Sequence, residues 1–502
     1  MNTTKIKSFM LATACMATLL ASCDMDKYPY DKIPVDNAME SLSDCQNLRN
    51  GMYRDLRIIA ANQQGFLSSE MQADCIVPTN QYGNQWSSQY LWAVEAADGA
   101  ATTVWNNNYV AIAQCNMLIG GIQRLENEGK LEAEELAEAH NILGEAYMMR
   151  AMCYFDLATR YCNLYDETTA ENEMGVPLVE TYAPSADNST FPGRSTLEAT
   201  YQFILKDIEN AKSYLTTAGT QEAIYLTTDA LTAFEARVAL LMGNYDTAIT
   251  NATSLINSQK YPLISNPTSF ANMWKNDTGT ELICQLYADR QESVSSMGEW
   301  FLDEVTYTQT LLPAADIITM YGENDIRLNT FFSIEEVNFT NGAYDVFCIS
   351  KYPGNPELNS GSVNQMKNKV KIFRIPEMYL VAAEAYYMKG GTDNEAKAYD
   401  VLYQLMSARD ASVQKQPVQG NNLRQLIRDE RLKELCYEGF RWLDLKRYGE
   451  GFTRMAAQAD ELSYNFGLNL KVSADDPQWL WPIPQDEIEA NPQIKGQQNP
   501  GY

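Results

Sequence analysis

The strongest constraint on the fold is a series of small side chains seven residues apart, Ala137, Gly144, Ala151 and Ala158, set among Leu136, Leu143, Tyr147, Tyr154 and Leu157. Seven residues make about two helical turns, so the small residues share one face and let a neighbouring helix approach closely. The segment before it has the same character. Trp105, Tyr109, Ile112, Cys115, Ile119 and Ile122 follow one another at steps of three and four, which predicts an amphipathic helix. Helical patterns also cover 195–215 and 228–256, the second broken at Met242-Gly243-Asn244-Tyr245. A glycine there suits a helix C-terminus, so two antiparallel helices are expected to meet at that turn.

The stretch Ala236 to Gly243 is echoed by Ala383 to Gly390, and each is followed by a second alanine-bearing helix, with Ala248 and Ala252 in one and Ala396 and Ala398 in the other. Small and large residues alternating in helix pairs around a glycine turn resemble the tetratricopeptide unit, although its full signature is absent. The expected fold is therefore mainly α: a tetratricopeptide-like helix-pair scaffold carrying a loop-rich, variable lobe and few short strands. The insertions expected to form that lobe are 68–102, 163–195, 260–313 and 332–369, rich in Asn, Ser, Gly, Pro and aromatics. Within them Glu281 to Leu286 and Val346 to Ile349 read as short strands. Loops of this length in a compact domain are usually functional.

Residues 1–22 read as an address. Lys5 and Lys7 precede an apolar run from Phe9 to Leu20, and no acidic residue occurs before Asp24. The run is too short to span a bilayer, which takes about 20 residues. It ends Leu20-Ala21-Ser22-Cys23, which resembles a bacterial lipoprotein signal, so Cys23 is the expected lipidation site. Residues 23–34 then form a lipidated tether and 35–502 one domain, with an N-terminal region at 35–330 and a C-terminal region at 331–502. Losing Lys5 and Lys7 takes the formal charge from -27 to -29. Such a body repels polyanions, which argues against a nucleic-acid partner.

The chain has one histidine, His140, and its remaining cysteines (Cys45, Cys75, Cys115, Cys153, Cys162, Cys284, Cys348 and Cys436) show no metal-ligand spacing. No metal site or cofactor is expected, and most of these cysteines read as small buried hydrophobes. Glu434 and Glu438, four apart on a predicted helix, have the separation of a glycosidase pair. Arg431, Arg441 and Arg447 lie around them, however, and cations depress carboxyl pKa values where a general acid needs the reverse. The pair is expected to belong to an ion-pair network.

The last third of the chain carries a resemblance. Arg374-Ile375-Pro376-Glu377-Met378-Tyr379-Leu380-Val381-Ala382-Ala383-Glu384-Ala385 is followed by Ile427-Arg428-Asp429-Glu430-Arg431, by Glu434-Leu435 and by Glu438-Gly439-Phe440-Arg441-Trp442-Leu443-Asp444-Leu445-Lys446-Arg447-Tyr448-Gly449. Trp481-Pro482-Ile483-Pro484, Asn491-Pro492 and Gln498-Asn499-Pro500-Gly501-Tyr502 complete the set. Trp105 with Asn116, the 144–161 helix, and Tyr321 with Asp325 and Arg327 are earlier matches. Together these resemble the SusD/RagB family of Bacteroidetes surface lipoproteins. The resemblance implies a SusD-like α/α fold, an outer-membrane lipid anchor facing the cell surface, and a SusC-like TonB-dependent transporter as partner. It also implies non-catalytic capture of glycans or, in some branches, of peptides.

A glycan binder needs flat aromatic platforms for the apolar sugar faces and amides or charged groups for the hydroxyl edges. Residues 81–92 have that composition, with four aromatics among amides and hydroxyls. A second cluster holds Trp300, Phe301, Asp303 and Tyr307, after Asp289 and Arg290. The expected ligand-binding residues are Trp86, Trp300, Tyr82 and Tyr307, with Asn84 and Arg290 as edge partners. Trp105, Trp274, Trp442 and Trp481 are expected in the core. The expected function is oligosaccharide capture and delivery to the transporter; the alternative is a peptide-binding relative in the same kind of complex.

Overall fold

The computed structural model describes residues 39–81, 86–301, 309–464 and 470–502. Residues 1–38, with the leader and Cys23, lie outside them, as do Tyr82, Asn84 and Tyr307. The chain runs α1 (Leu42–Ala60), α2 (Gln63–Gln72), β1 (Ile76–Pro78), α3 (Ser87–Tyr90), α4 (Gly99–Asn127), α5 (Ala133–Tyr161), β2 (Met174–Pro177) and β3 (Arg194–Thr196). It continues with α6 (Leu197–Tyr214), α7 (Thr228–Leu241), α8 (Tyr245–Asn257), α9 (Pro267–Lys275), β4 (Leu282–Gln285), β5 (Leu311–Pro313), α10 (Ala315–Thr319) and α11 (Leu328–Phe331). Then come β6 (Phe332–Phe339), β7 (Gly342–Ile349), β8 (Lys371–Arg374), α12 (Ile375–Lys389), α13 (Thr392–Arg409), α14 (Gly420–Leu435), α15 (Arg441–Tyr448), β9 (Phe452–Thr453), β10 (Lys471–Val472) and α16 (Gln485–Ala490).

Side-chain caps start several of the long helices. Asp98 accepts from the Ala100 N–H at the head of α4, Thr227 from Ala230 at α7, and Asn244 from Thr247 at α8. Between α7 and α8 the chain turns at Gly243, whose φ of 74° is the left-handed conformation that glycine adopts without strain. The expected antiparallel pairs are present. α4 packs on α5, α5 on α6, α7 on α8, and α12 on both α8 and α13. The face of small residues works at three of its four positions. Ala151 and Ala158 are fully buried, and a Cβ on Gly144 would stand 2.5 Å from the backbone nitrogen of Leu215. Ala137, in the second turn of α5, is exposed instead.

The core extends from α1 to the segment after α16 and includes Trp105, Trp274, Trp442 and Trp481, each at most 2% exposed. The eight cysteines from Cys45 to Cys436 are buried and unpaired. Residues 491–499 return to the front half of the chain. The Asn499 side chain donates to the carbonyls of Tyr161 and Trp481, both at 2.7 Å, and accepts from Arg194 at 2.9 Å.

The insertions are more structured than their composition suggests. Residues 68–72 complete α2, and 332–349 form the β6–β7 hairpin, in register from Phe332 opposite Ile349 to Phe339 opposite Gly342. The strand expected at 281–286 is β4, paired with β8. Among the described residues no helix is long and apolar enough to cross a membrane.

Candidate ligand-binding face

Two strands of three residues bring the aromatic insertions together. β1 pairs with β5 antiparallel, with Ile76 opposite Pro313, Val77 opposite Leu312 and Pro78 opposite Leu311. The ladder is prolonged by Thr79, whose N–H donates to the Thr310 carbonyl at 2.9 Å and whose hydroxyl donates to the Gln309 carbonyl at 2.6 Å. Because the strands are antiparallel, the chain leaving β1 toward Trp86 and the chain arriving at β5 from Trp300 share one end of the ladder. Two further segments join there. The Gln81 side chain donates to the Asn338 carbonyl at the tip of the β6–β7 hairpin, at 2.7 Å. On the other side, the Asn80 N–H donates to the Leu462 carbonyl and the Tyr464 N–H to the Pro78 carbonyl.

Trp86 and Trp300, the nearest described residues of the two insertions singled out above, are both partly buried against the core. Trp86 precedes α3 in a left-handed conformation, φ 62°, and α3 packs on α2. Trp300 ends a short 3-10 turn, and its ring lies 5.6 Å from that of Phe66, also on α2. The two indoles are thus carried by segments flanking one helix. One turn beyond Phe66 is Glu70, fully buried, with Oε1 accepting from the Gly439 N–H at 2.7 Å. Burial pushes its carboxyl up to about 7, against the opposing pull of the Gly439 N–H and Lys351.

Three other described aromatics of these insertions are packed in the interior. Tyr90 and Trp92 are buried, the Trp92 ring 4.6 Å from that of Trp479 and its N–H bonded to the Gln72 carbonyl. Phe301 is buried as well. Arg290 is exposed on the loop after β4 and donates to the Glu357 carbonyl at 3.2 Å. Asp289 closes its own turn by accepting from the N–H groups of Gln291 and Glu292. Gln81, the first residue of the 81–92 stretch, and Asn80 just before it tie this end of the ladder to the hairpin and to 461–464; neither was singled out individually from the sequence.

The paired carboxylates are held in an ion-pair network, but with other partners than the nearby arginines. Glu434 Oε1 meets Arg374 at 2.9 Å, and Oε2 meets Arg409 at 2.9 Å and Arg327 at 3.1 Å. Glu438 lies past the end of α14, where Tyr437 takes a φ of 58°, and it bonds Lys351 at 2.7 Å and Arg374 at 3.0 Å. Arg431 and Arg447 instead serve Asp444, and Arg441 serves Asp74. Burial raises the Glu434 carboxyl, but Arg409, Arg374 and Arg327 outweigh it and hold it well below the usual range. Glu438 is lowered likewise by Arg374 and Lys351 against its burial. Carboxyls without a proton at neutral pH cannot act as general acids. His140 lies 3.1 Å from Glu126 on the surface. Among the described residues no group of three or more His, Cys, Asp or Glu side chains is placed to hold a metal.

A helical frame with a loop-built face of aromatics and amides is the architecture of a binding protein. Comparison with known proteins places it within a family. The SusD family matches residues 316–502, and a family described as "Starch-binding associating with outer membrane" matches residues 25–240. Two SusD-like proteins of Formosa agariphila are similar. One is 26% identical over 349 residues, 61% of this chain and 66% of the relative. The other is 22% identical over 531 residues, 97% of this chain and 98% of the relative. A SusD superfamily protein from Bacteroides thetaiotaomicron superposes with a TM-score of 0.76 at 27% identity, over 92% of this chain and 100% of that one. A putative sugar binding protein from Bacteroides vulgatus gives 0.76 at 22% identity, over 93% and 99%. The chain belongs to the SusD/RagB family.

Proposed function

We propose that this protein is a non-catalytic lipoprotein, anchored through Cys23 at the outer membrane and facing the cell surface, which captures oligosaccharides and passes them to a SusC-like TonB-dependent transporter. The observation that carries the reading is the β1–β5 ladder, which joins the two aromatic-bearing insertions at one end. Trp86 and Trp300 serve as platforms, Tyr82 and Tyr307 extend them, and Asn84 is an edge partner. Arg290 is the second edge partner, exposed beside the Glu357 carbonyl. The description of the family matching 25–240 and the name of a similar structure, the surface glycan-binding protein A of Bacteroides fluxus, support a sugar as ligand.

Two or three stacked rings contribute about 0.5–1.5 kcal/mol each and a few hydrogen bonds about 1 kcal/mol each, which sums to micromolar or weaker affinity. A protein that must release its cargo to a transporter is suited by such weakness. The test begins with screening the protein against defined oligosaccharides and peptides, followed by titration calorimetry on the best ligand. Trp300→Ala and Trp86→Ala are each expected to weaken oligosaccharide binding about two- to tenfold with an unchanged circular dichroism spectrum. Unaltered affinity in both variants would remove this face from the account; capture of peptides and no glycan would replace the ligand class.

A further inference from the structure

A cleft of about 880 Å³ opens at the α7–α8 turn, walled also by the end of α12, the first half of α14, the end of α15 and the loop 164–167 after α5. None of its lining residues belongs to the β1–β5 ladder, to the β6–β7 hairpin or to 459–464. Its size lies within the range of roughly 300–1,000 Å³ typical of small-molecule sites. Tyr165, Tyr245 and Tyr387 reach it from three separate elements, each of them half-buried. The Tyr245 ring lies back over the turn, so that a Cβ on Gly243 would stand 3.8 Å from its hydroxyl oxygen. Burial and the Glu384 carboxylate, which also lines the cleft, push that hydroxyl up, and it keeps its proton to donate. Among the described residues no protein group bonds the hydroxyl of Tyr245 or of Tyr387, and neither oxygen is enclosed. Beside them Asn244 spends its Oδ1 on the Thr247 N–H at 3.3 Å, which leaves its own N–H groups free. The fourth tyrosine of the lining is occupied, because the guanidinium groups of Arg428 and Arg447 lie 4.0 and 4.8 Å from the Tyr448 ring centre.

The cations of the lining are already committed. Arg447 pairs with Glu384 at 2.7 Å, and Arg428 and Arg424 pair with Glu450 at 2.9 and 3.3 Å. Glu235 pairs with Lys212 at 2.6 Å, while Asp166 and Glu167 are exposed and have no cation partner among the described residues. An anion entering the cleft therefore meets carboxylates and no free counter-charge. What remains uncommitted is neutral: aromatic faces, hydroxyls that both donate and accept, and an amide donor. Such a set matches a body with apolar C–H faces and hydroxyl edges. We propose that this cleft is a second carbohydrate site, which holds neutral sugar units against Tyr245 and Tyr387 and bonds their edges through the two phenol hydroxyls and the Asn244 amide. The kind of ligand rests on the glycan reading above, whereas the place rests on this cleft alone.

Maltotetraose, cellotetraose, mannotetraose and xylotetraose are the probes, titrated by calorimetry into the Trp86→Ala/Trp300→Ala protein so that the ladder face does not contribute. At least one of them is expected to bind saturably. Adding Tyr245→Phe and Tyr387→Phe keeps both rings and removes both hydroxyls, and is expected to weaken that binding about five- to a hundredfold. Tyr245→Ala with Tyr387→Ala removes the rings as well and is expected to abolish it. Near-ultraviolet circular dichroism reports whether each variant is folded; should the alanine pair fail to fold, the phenylalanine pair decides. The proposal is overturned if no tetrasaccharide binds the Trp86→Ala/Trp300→Ala protein, if the folded tyrosine variants bind as tightly as that protein, or if tetralysine binds equally well. A failure of the ladder face alone has a different signature: wild type and Trp86→Ala/Trp300→Ala then bind alike, and the response to the tyrosine changes persists.

Discussion

Glu70 shows how the surroundings of one side chain can invert its usual behaviour. A carboxyl raised from 4.5 to about 7 holds its proton more firmly in the folded than in the unfolded chain. Its contribution to stability is therefore fully present below pH 4.5 and is lost as the pH rises through 7. Asp74, Glu438 and Lys351 are its charged neighbours, and the acids add to the penalty of ionisation. Glu70→Gln retains an acceptor for the Gly439 N–H and cannot ionise. Relative to wild type, the variant is expected to gain stability between pH 5 and pH 8 by up to about 3 kcal/mol. Urea midpoints at the two pH values check this; an equal difference at both would show that Glu70 does not titrate in that window. Glu434 behaves in the opposite way, because three arginines overcome its burial. That a network would hold the carboxylates was legible from nearby cations; its true members were not, since Arg327, Arg374 and Arg409 reach Glu434 only through the tertiary fold.

At the scale of elements, the helices were readable because each carries its own periodicity. Helix α5 was expected from its seven-residue series, and the contact that the series permits falls at Gly144 against the Leu215 backbone. Gly144→Ala would force that approach apart at a cost of about 1–3 kcal/mol. Chemical denaturation measures it, and a loss below about 0.5 kcal/mol would mean that the end of α6 yields without strain. The β1–β5 ladder was not readable. Ile76-Val77-Pro78 and Leu311-Leu312-Pro313 are three residues each, too short to show alternation, and more than two hundred residues of chain lie between them. For the same reason the composition of 81–92 could not separate the partly buried Trp86 from the buried Tyr90 and Trp92. A half-buried ring and a buried one have the same local sequence signature.

Over the whole molecule, the excess of acidic side chains sets a preference among ligands. A formal charge of -27 opposes approach of an anionic chain, and that opposition is screened by salt, with a Debye length of about 30 Å at 0.01 M and about 3 Å at 1 M. For oligosaccharides of equal length, a uronate-bearing one is expected to bind more weakly than its neutral counterpart at low salt, with the gap closing as salt is added. Affinity titrations across that range check it, and tighter binding of the acidic sugar at low salt would point to a local basic patch at the binding face. The acidic surface and the helical frame were both visible before any coordinates, since one is a count and the other a repeat. The return of residues 491–499 to the front half was not, because it depends on single amide contacts. Arg194 and the carbonyl of Tyr161 are among the groups that Asn499 satisfies. Helices made early in translation therefore meet the last partner of this junction only when a residue made very late has emerged.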